Sequence, residues 1–284
     1  MLVRNLIIGA GVALTLGATA AFAANEAERP MDYKFSFESP TGGYDMAAVQ
    51  RGFEIYSQVC STCHAMRHLS YRNLGEEGGP FAAYMERDEA TGDMKMRDVP
   101  GPPERGGHFV QVTDNPWVRS IASAVTISDI DPNTGQPADR PGRISDHFRS
   151  PFPNEAASRM ANGGAYPPDL SEIVQARAGG ARYVRSLLQG YTGETRGTQY
   201  VNRFFPGRLI AMPPPLTDGR VTYADGTTST VAQEATDVAT FLQWAADPHM
   251  AQRKTLGIQV LAFLLVLSGL LYLAYKQVWK GESH

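Results

Sequence analysis

Residues 45–64 read DMAAVQRGFEIYSQVCSTCH, and this segment contains both cysteines of the 284-residue chain. Asp45 is a residue type that caps the N-terminus of a helix. The apolar residues that follow recur at the spacing of one helix face: Val49, Phe53 and Tyr56. The segment therefore predicts a helix over residues 46–58 that ends just before the first cysteine.

The cysteines form the motif Cys60-Ser61-Thr62-Cys63-His64, which three kinds of site could use. A disulfide would suit a secreted protein with two cysteines. A zinc site needs four ligands, and the chain has no second cysteine pair. The adjacent His64 favours haem, because C-x-x-C-H is the spacing for haem attachment: the two thiols add to haem vinyl groups and the histidine becomes an axial ligand of the iron. The motif predicts one haem c, attached covalently through Cys60 and Cys63.

An electron-transfer haem needs a second axial ligand, and Met212 is the strongest candidate. It lies in the segment RLIAMPPPL, residues 208–216. Three prolines fix their φ angles and hold the segment extended, so the sulfur can be presented with little loss of entropy. The neighbouring Leu209, Ile210 and Leu216 can shield the haem from water. Three histidines are alternative ligands: His68, His108 and His147.

Both ends of the chain carry apolar segments, of different kinds. The first combines Arg4, a short apolar run and the small-residue site Ala21-Phe22-Ala23, which is typical of a cleaved secretory signal peptide. The second, Leu256 to Tyr275, contains no charged residue and is long enough to cross the ~30 Å hydrocarbon core as a helix. The predicted organisation is a signal peptide at 1–23, a periplasmic haem domain at 24–252, a transmembrane helix at 253–276 and a cytoplasmic tail at 277–284.

The chain is mildly acidic. Its formal net charge is −3, and removal of the signal peptide, which contains Arg4 and no acidic residue, changes this to −4. Such a balance argues against nucleic acid as a partner and is compatible with a basic protein partner.

Regular structure is expected to be mainly helical, with long loops. Further helices are predicted near residues 170–188 and 231–246, and Asp225-Gly226 predicts the turn of a short hairpin around 220–228. Class I cytochromes c cross the helix before the haem motif with a C-terminal helix, and pack a glycine against an aromatic residue. Gly52 can provide the glycine. The C-terminal helix offers two aromatic residues, Phe241 and Trp244, and Thr230 and Gln233 could form a capping box at its start.

Four segments, in this order and followed by a C-terminal anchor, resemble the cytochrome c1 family, which supplies the haem c subunit of the cytochrome bc1 complex. They are Cys60-Ser-Thr-Cys-His64, Tyr166-Pro-Pro-Asp-Leu-Ser171, Ile210-Ala-Met-Pro-Pro-Pro215 and Phe241-Leu-Gln-Trp-Ala245. C-x-x-C-H alone indicates only haem, whereas the four segments together are specific. The resemblance implies a mainly α fold: a class I cytochrome c-like haem domain with long loop insertions, plus one C-terminal transmembrane helix.

The resemblance also implies a haem pocket, residue by residue. Cys60 and Cys63 match the thioether anchors, and His64 and Met212 match the axial ligands of the iron. Arg177 matches an arginine that pairs with a haem propionate, which is physically reasonable because an unpaired propionate would be costly to bury. The other matching positions line the pocket: Asn162, Pro168, Ile173, Tyr183, Leu187, Phe205 and Ile210.

The sequence departs from the family pattern in two places. Residues 105–140 look like an insertion relative to mitochondrial members. Some bacterial relatives carry a disulfide in the soluble domain, whereas both cysteines of this chain lie in the haem motif. The loop that carries Met212 must therefore be stabilised by packing.

The resemblance implies that this protein is a one-electron carrier in respiratory or photosynthetic electron transport and not an enzyme on its own. It would accept an electron from the Rieske iron–sulfur protein and pass it to a cytochrome c. Cytochrome b would be a further partner, in a dimeric complex of the bacterial inner membrane. The main alternative is an independent membrane-tethered cytochrome c shuttle. A haem enzyme such as a peroxidase, and a non-haem interaction protein with a structural disulfide, are the others.

Overall fold

A computed structural model describes residues 26–97, 99–103 and 107–281. The predicted signal peptide at 1–23 lies outside these residues. Seven α-helices occur in the described part of the chain: α1 (Met46–Gln58), α2 (Tyr71–Leu74), α3 (Pro116–Ser123), α4 (Glu155–Ala161), α5 (Gly180–Gln189), α6 (Val231–Ala246) and α7 (Met250–Val278). Short 3-10 turns lie at Ser36–Glu38, Cys60–Thr62 and Val112–Asp114.

Short strands form small antiparallel sheets around these helices. They are β1 (Tyr84–Arg87), β2 (Met94–Met96), β3 (His108–Phe109), β4 (Thr126–Ile130), β5 (Pro137–Pro141), β6 (Tyr191–Arg196), β7 (Gln199–Asn202) and β8 (Leu209–Ile210). Their orders within the sheets are β2-β1-β3, β4-β5 and β6-β7-β8. Each sheet is too small to bury a core of its own, so the helices provide most of the buried apolar surface.

Helix α1 begins and ends where the sequence predicts. The Asp45 carboxylate accepts hydrogen bonds from the backbone N–H groups of Ala47 and Ala48, at 3.0 and 3.2 Å, and so satisfies free amides of the first turn. The predicted apolar face is buried: Val49, Phe53 and Tyr56. The predicted helix over residues 46–58 is confirmed.

The centre of the domain is the crossing of α1 and α6. A Cβ atom built on Gly52 would lie 2.6 Å from the Cβ of Phe241 and would overlap the backbone carbonyl oxygen of Asp237. Only glycine therefore allows the two helices to approach this closely. Phe241 and Trp244 are 0% and 1% exposed, so both predicted aromatic residues belong to the core.

Helix α6 also has the predicted start. The Thr230 hydroxyl oxygen accepts a hydrogen bond from the backbone N–H of Gln233, at 3.2 Å. The Gln233 side chain does not return to Thr230 to complete a capping box; it donates instead to the carboxylate of Asp237, one turn further on. The predicted helix over residues 231–246 is confirmed.

Two sequence predictions of regular structure are wrong. Residues 171–179 form turns, and α5 begins only at Gly180. Gly179 and Gly180 adopt positive φ angles of 91° and 54°, which rule out one continuous helix across this junction. The predicted hairpin at 220–228 has the turn at Gly226 but no strand on either side. Its buried residues face the helical core and find no partner strand: Val221 and Tyr223.

The described part of the predicted insertion, from residue 107 onward, contains α3 and the β4–β5 hairpin. Asn115 joins α3 to the rest of the domain, because its side chain caps the helix and also donates to the backbone carbonyl of Phe81, at 2.7 Å. In the hairpin, Arg140 bridges two carboxylates, Asp129 at 2.7 Å and Asp146 at 2.7 Å. The described part of the predicted insertion is thus an ordered surface element.

Helix α7 has the length and composition of a membrane span. Its 29 residues extend over about 44 Å, and its most apolar window has a mean hydropathy of 2.3. It encloses the predicted span of 253–276, and its apolar side chains are exposed. At its domain end, the Lys254 ammonium donates to three backbone carbonyls: Phe37 at 2.5 Å, Ser39 at 2.8 Å and Gly42 at 3.3 Å.

Candidate haem site

The C-x-x-C-H motif forms a tight turn directly after α1. The backbone N–H groups of Cys63 and His64 both donate to the carbonyl of Cys60, at 3.2 and 2.9 Å. Both cysteines are free and half-buried, so the structure contains no disulfide between them. Burial raises the pKa of the Cys60 thiol to about 12, which keeps it protonated at neutral pH.

The imidazole of His64 is oriented by a residue far along the chain. Its Nδ1 atom lies 2.8 Å from the carbonyl oxygen of Pro168. Because a carbonyl can only accept a hydrogen bond, Nδ1 carries the proton and Nε2 keeps its lone pair for a metal. Burial lowers the pKa of His64, which favours the neutral, ligating form.

The segment that contains Pro168 lies alongside the haem motif. The backbone N–H of Leu170 donates to the carbonyl of Ala65 at 2.8 Å, and the N–H of Arg67 donates to the Asp169 carboxylate at 3.1 Å. These contacts fix the carbonyl that orients His64.

Helix α5 carries two predicted pocket residues on one face. Tyr183 and Leu187 are separated by four positions and therefore lie on the same side of the helix. Both are half-buried, and Tyr183 packs against the same core as Cys60 and Ile173. Burial raises the pKa of Tyr183, and the nearby positive charge of Arg177 opposes this shift.

Arg177 is exposed just before α5, and its guanidinium donates to the carbonyl of Ala176, at 3.1 Å. No carboxylate among the described residues forms an ion pair with it. It is therefore available to an anionic group.

Met212 follows β8, and its segment is fixed on both sides. Before it, Ile210 is buried and pairs with Tyr200 in the β6-β7-β8 sheet. After it, Leu216 is 5% exposed within the helical core. The phenol of Tyr191 donates to the backbone carbonyl of Met212 itself, at 3.1 Å. No sequence pattern marks Tyr191 as a site residue.

The three alternative histidines are all exposed. His68 lies 3.5 Å from the Glu172 carboxylate on the surface. His108 belongs to β3, and His147 forms an isolated bridge with Ser70. These environments do not protect an iron ligand from water, whereas Met212 is half-buried.

Two predicted pocket residues have other visible contacts. The Asn162 side chain donates to the carbonyl of Ser158 at 2.7 Å at the end of α4, with no direct bond to the motif. The carbonyl of Phe205 accepts from the backbone N–H of Arg208, at 2.7 Å. Arg208 is the only described non-glycine residue with a positive φ, 62°, and its buried Nε atom has no hydrogen-bond partner in the described structure.

These residues fit a haem better than a bare metal ion. Among the described residues no group of three or more His, Cys, Asp or Glu side chains could hold a metal. A haem iron needs only two protein ligands, and an oriented imidazole is present at His64. The unpaired guanidinium of Arg177 and the unsatisfied Nε of Arg208 suit the carboxylates of a propionate-bearing group.

The helix crossing, the C-x-x-C-H motif and the apolar C-terminal helix define the class of protein: a membrane-anchored cytochrome c-like domain. Comparison with known proteins identifies the family, because residues 35–282 match the Cytochrome C1 family. The chain is 40% identical to "Cytochrome b/c1" of Bradyrhizobium diazoefficiens, over 98% of this chain and 39% of that protein. It is 35% identical to "Cytochrome c1" of Rhodospirillum rubrum, over 100% of this chain and 99% of that protein. It is 38% identical to "Cytochrome c1-2, heme protein, mitochondrial" of Solanum tuberosum, over 94% of this chain and 92% of that protein. The chain therefore belongs to the cytochrome c1 family.

Family membership confirms the predicted fold class and the electron-transfer function. It does not favour the alternative of an independent tethered shuttle. The roles of individual residues in the site stay predictions.

Proposed function

We propose that this chain binds one haem covalently through Cys60 and Cys63, with His64 and Met212 as axial ligands. The observation that carries this proposal is the hydrogen bond from His64 to the carbonyl of Pro168, because it keeps the ring proton on Nδ1 and leaves the Nε2 lone pair free to bind iron. The bound group would supply a one-electron couple at the iron. Relatives named heme proteins support the cofactor.

Each side chain of the proposed pocket has a defined task. Arg177 would pair with a propionate, and the other predicted residues would exclude water from the iron: Asn162, Pro168, Ile173, Tyr183, Leu187, Phe205 and Ile210. No residue of this chain is proposed as an acid, a base or a nucleophile. The protein would instead set the reduction potential through its axial ligands and through burial.

We further propose that the chain is the cytochrome c1 subunit of a dimeric bc1-type complex. In this role it receives one electron from the Rieske iron–sulfur protein and passes it to a cytochrome c, with cytochrome b as its membrane partner. The names of its bacterial relatives support membership of such a complex. The single apolar helix α7 would anchor the haem domain beside the membrane-embedded subunit.

The proposed orientation places the haem domain in the periplasm and the tail after α7 in the cytoplasm. Basic residues lie on both sides of the apolar segment: Arg253, Lys254, Lys276 and Lys280. The distribution of positive charge alone therefore does not orient the helix. A cleaved signal peptide at 1–23 would, because it exports the residues that follow it.

The test is a reduced-minus-oxidised spectrum of membranes after addition of a quinol. It is recorded with and without an inhibitor that blocks quinol oxidation at the Rieske site. A c-type α-band that appears with quinol and disappears with the inhibitor is the expected result. A c-type band that is reduced by dithionite but not by quinol, in membranes with an intact complex, would contradict the proposed position of this haem in the electron-transport chain. Covalent attachment is tested separately by haem staining after denaturing electrophoresis, where Cys60→Ala with Cys63→Ala should lose the stain.

A further inference from the structure

Three segments of the molecule meet at the side chain of Arg51, in the helix that leads into the haem motif. Its Nε and Nη2 atoms donate to the two carboxylate oxygens of Asp237 in α6, at 2.9 and 3.0 Å. Its Nη1 atom donates to the carboxylate of Asp225, at 2.8 Å. Asp225 lies in residues 217–230, which we name the connector because they join the Met212 segment to α6. Arg51, Asp225 and Asp237 are named the Arg51 cluster.

The inner half of the Arg51 cluster is buried. The Asp237 side chain is 0% exposed and that of Arg51 is 14% exposed. Gln233 adds a hydrogen bond to both oxygens of Asp237, at 3.0 Å. The paired carboxylates raise the pKa of Arg51, so its charge is permanent. Removal of one partner of such a buried pair leaves an uncompensated charge and is costly, so the inner pair is a rigid point.

The connector has no helix or strand, and side chains hold it instead. Its two ends are closed by the N–H of Gly219, which donates to the carbonyl of Ser229 at 2.7 Å. The Asp218 carboxylate accepts from the first amide of α6, that of Val231, at 2.8 Å. In between, the buried ring of Tyr223 lies 5.8 Å from the guanidinium of Arg51.

The outer half of the cluster reaches the tip of the connector. The second carboxylate oxygen of Asp225 accepts from the backbone N–H of Thr227, at 2.9 Å, which shapes the turn at Gly226. These two hydrogen bonds hold the pKa of Asp225 below its ordinary value. The side chain is 43% exposed, so its pair with Arg51 is reversible and can open while the inner pair stays intact.

We propose that Arg51 is a positioning residue for Met212, and this rests on the proposed role of Met212 as axial ligand. The connector begins directly after Leu216, which ends the Met212 segment, so a connector held at its tip keeps that segment closed. Because Arg51 belongs to α1, which runs into Cys60, its guanidinium links the helix that leads to His64 with the connector that follows the Met212 segment. Both cysteines of the chain lie in the haem motif, so this link consists of ion pairs and hydrogen bonds and not of a disulfide.

The test compares Asp225→Asn with Asp129→Asn in the full chain within its membrane complex. Asp225→Asn removes the outer ion pair and keeps an oxygen that can accept from Thr227. Asp129→Asn is a matched control: this carboxylate is 47% exposed and pairs with Arg140, which also binds a second, less exposed carboxylate, Asp146. Three properties are measured: binding of carbon monoxide to the reduced protein, the reduction potential, and the melting temperature.

We expect Asp225→Asn to raise the carbon-monoxide-binding fraction roughly two- to fivefold, since exposed ion pairs contribute modestly, and to lower the potential. Asp225→Glu should recover most of the loss, and Asp129→Asn should match the unmodified protein. A change in melting temperature with unchanged ligation in Asp225→Asn would overturn the proposal. If the unmodified protein itself binds carbon monoxide readily, the assignment of Met212 fails instead, so the two failures are distinguishable.

Discussion

The two predicted axial ligands lie in regions that are held in different ways. His64 follows α1, whose contact with α6 is so close that only Gly52 fits at the crossing. Met212 lies in a segment without helix, held by a short strand before it, a buried leucine after it and the hydrogen bond from Tyr191. One side depends on close packing, and the other on a few separate contacts.

This difference has a consequence for ligand exchange. Close packing of the α1–α6 crossing cannot loosen locally without disrupting the core, so His64 is expected to stay in place until the domain unfolds. The Met212 segment has fewer buried contacts and can open at a smaller free energy than global unfolding. Exchange of an axial ligand should therefore occur on the Met212 side alone.

The largest effect is expected at the crossing, from Gly52→Val. The added side chain would overlap the carbonyl of Asp237 and the Cβ of Phe241, and overpacking of this severity should cost about 3 kcal/mol or more. Chemical unfolding followed by far-UV circular dichroism measures the loss. Gly43→Val is the control, because a Cβ at Gly43 meets no atom within 4 Å and its φ is not positive. Equal stability of the two variants would contradict the close crossing.

On the other side, Met212→Leu should change ligation and leave folding nearly intact. Because methionine raises the potential of haem iron, its loss should lower the potential on the order of a tenth of a volt or more and open the iron to carbon monoxide. Met160→Leu is a suitable control, since Met160 is 86% exposed on α4. A redox titration of both variants measures the shift, and an unchanged potential in Met212→Leu would remove this residue from the site.

The α1–α6 crossing that supports His64 was also more predictable from sequence than the Met212 segment. Helices α1 and α6 follow from local signals: an Asp or Thr cap, a periodic apolar face, and a glycine opposite an aromatic residue. The turns at 171–179 were not predicted, because the apolar spacing of a helix continues from this stretch into α5, whereas Gly179 and Gly180 adopt positive φ angles at the start of α5. At this junction the conformational freedom of two glycines outweighed the local apolar pattern.

The contacts around Met212 could not have been predicted from one sequence. Arg51 is separated from Asp225 and Asp237 by 174 and 186 positions, and the connector has no periodicity that would bring them together. Tyr191 begins a strand with no pattern that points to Met212. The motif and the prolines identified the candidate ligands, whereas the side chains that hold them depend on the tertiary fold.

Alkaline pH should lower the free energy of unfolding by a smaller, graded amount, through a buried tyrosine of α1. Burial raises the pKa of Tyr56, which is 3% exposed in α1. The folded state therefore keeps the neutral phenol while the unfolded chain ionises near pH 10, so this contribution is complete below pH 10 and is lost as the pH rises further.

The expected slope for one such tyrosine is ~1.4 kcal/mol per pH unit. Unfolding curves between pH 9 and 11 measure it, and Tyr56→Phe should reduce the slope by this amount. A slope above pH 10 that is the same in both proteins would show that Tyr56 is ionised or exposed in the folded state.

The smallest effect is expected from Tyr191→Phe, which removes one hydrogen bond from the Met212 segment. A single such bond contributes about 1 kcal/mol, so the segment should open roughly fivefold more often while the domain keeps its melting temperature. Carbon monoxide binding to the reduced protein reports this opening. Tyr200→Phe, in the neighbouring strand β7, is the control. If Tyr191→Phe lowered the melting temperature as much as Gly52→Val, the two sides would form one cooperative unit. The separation between a packed ligand and a locally held one would then be wrong.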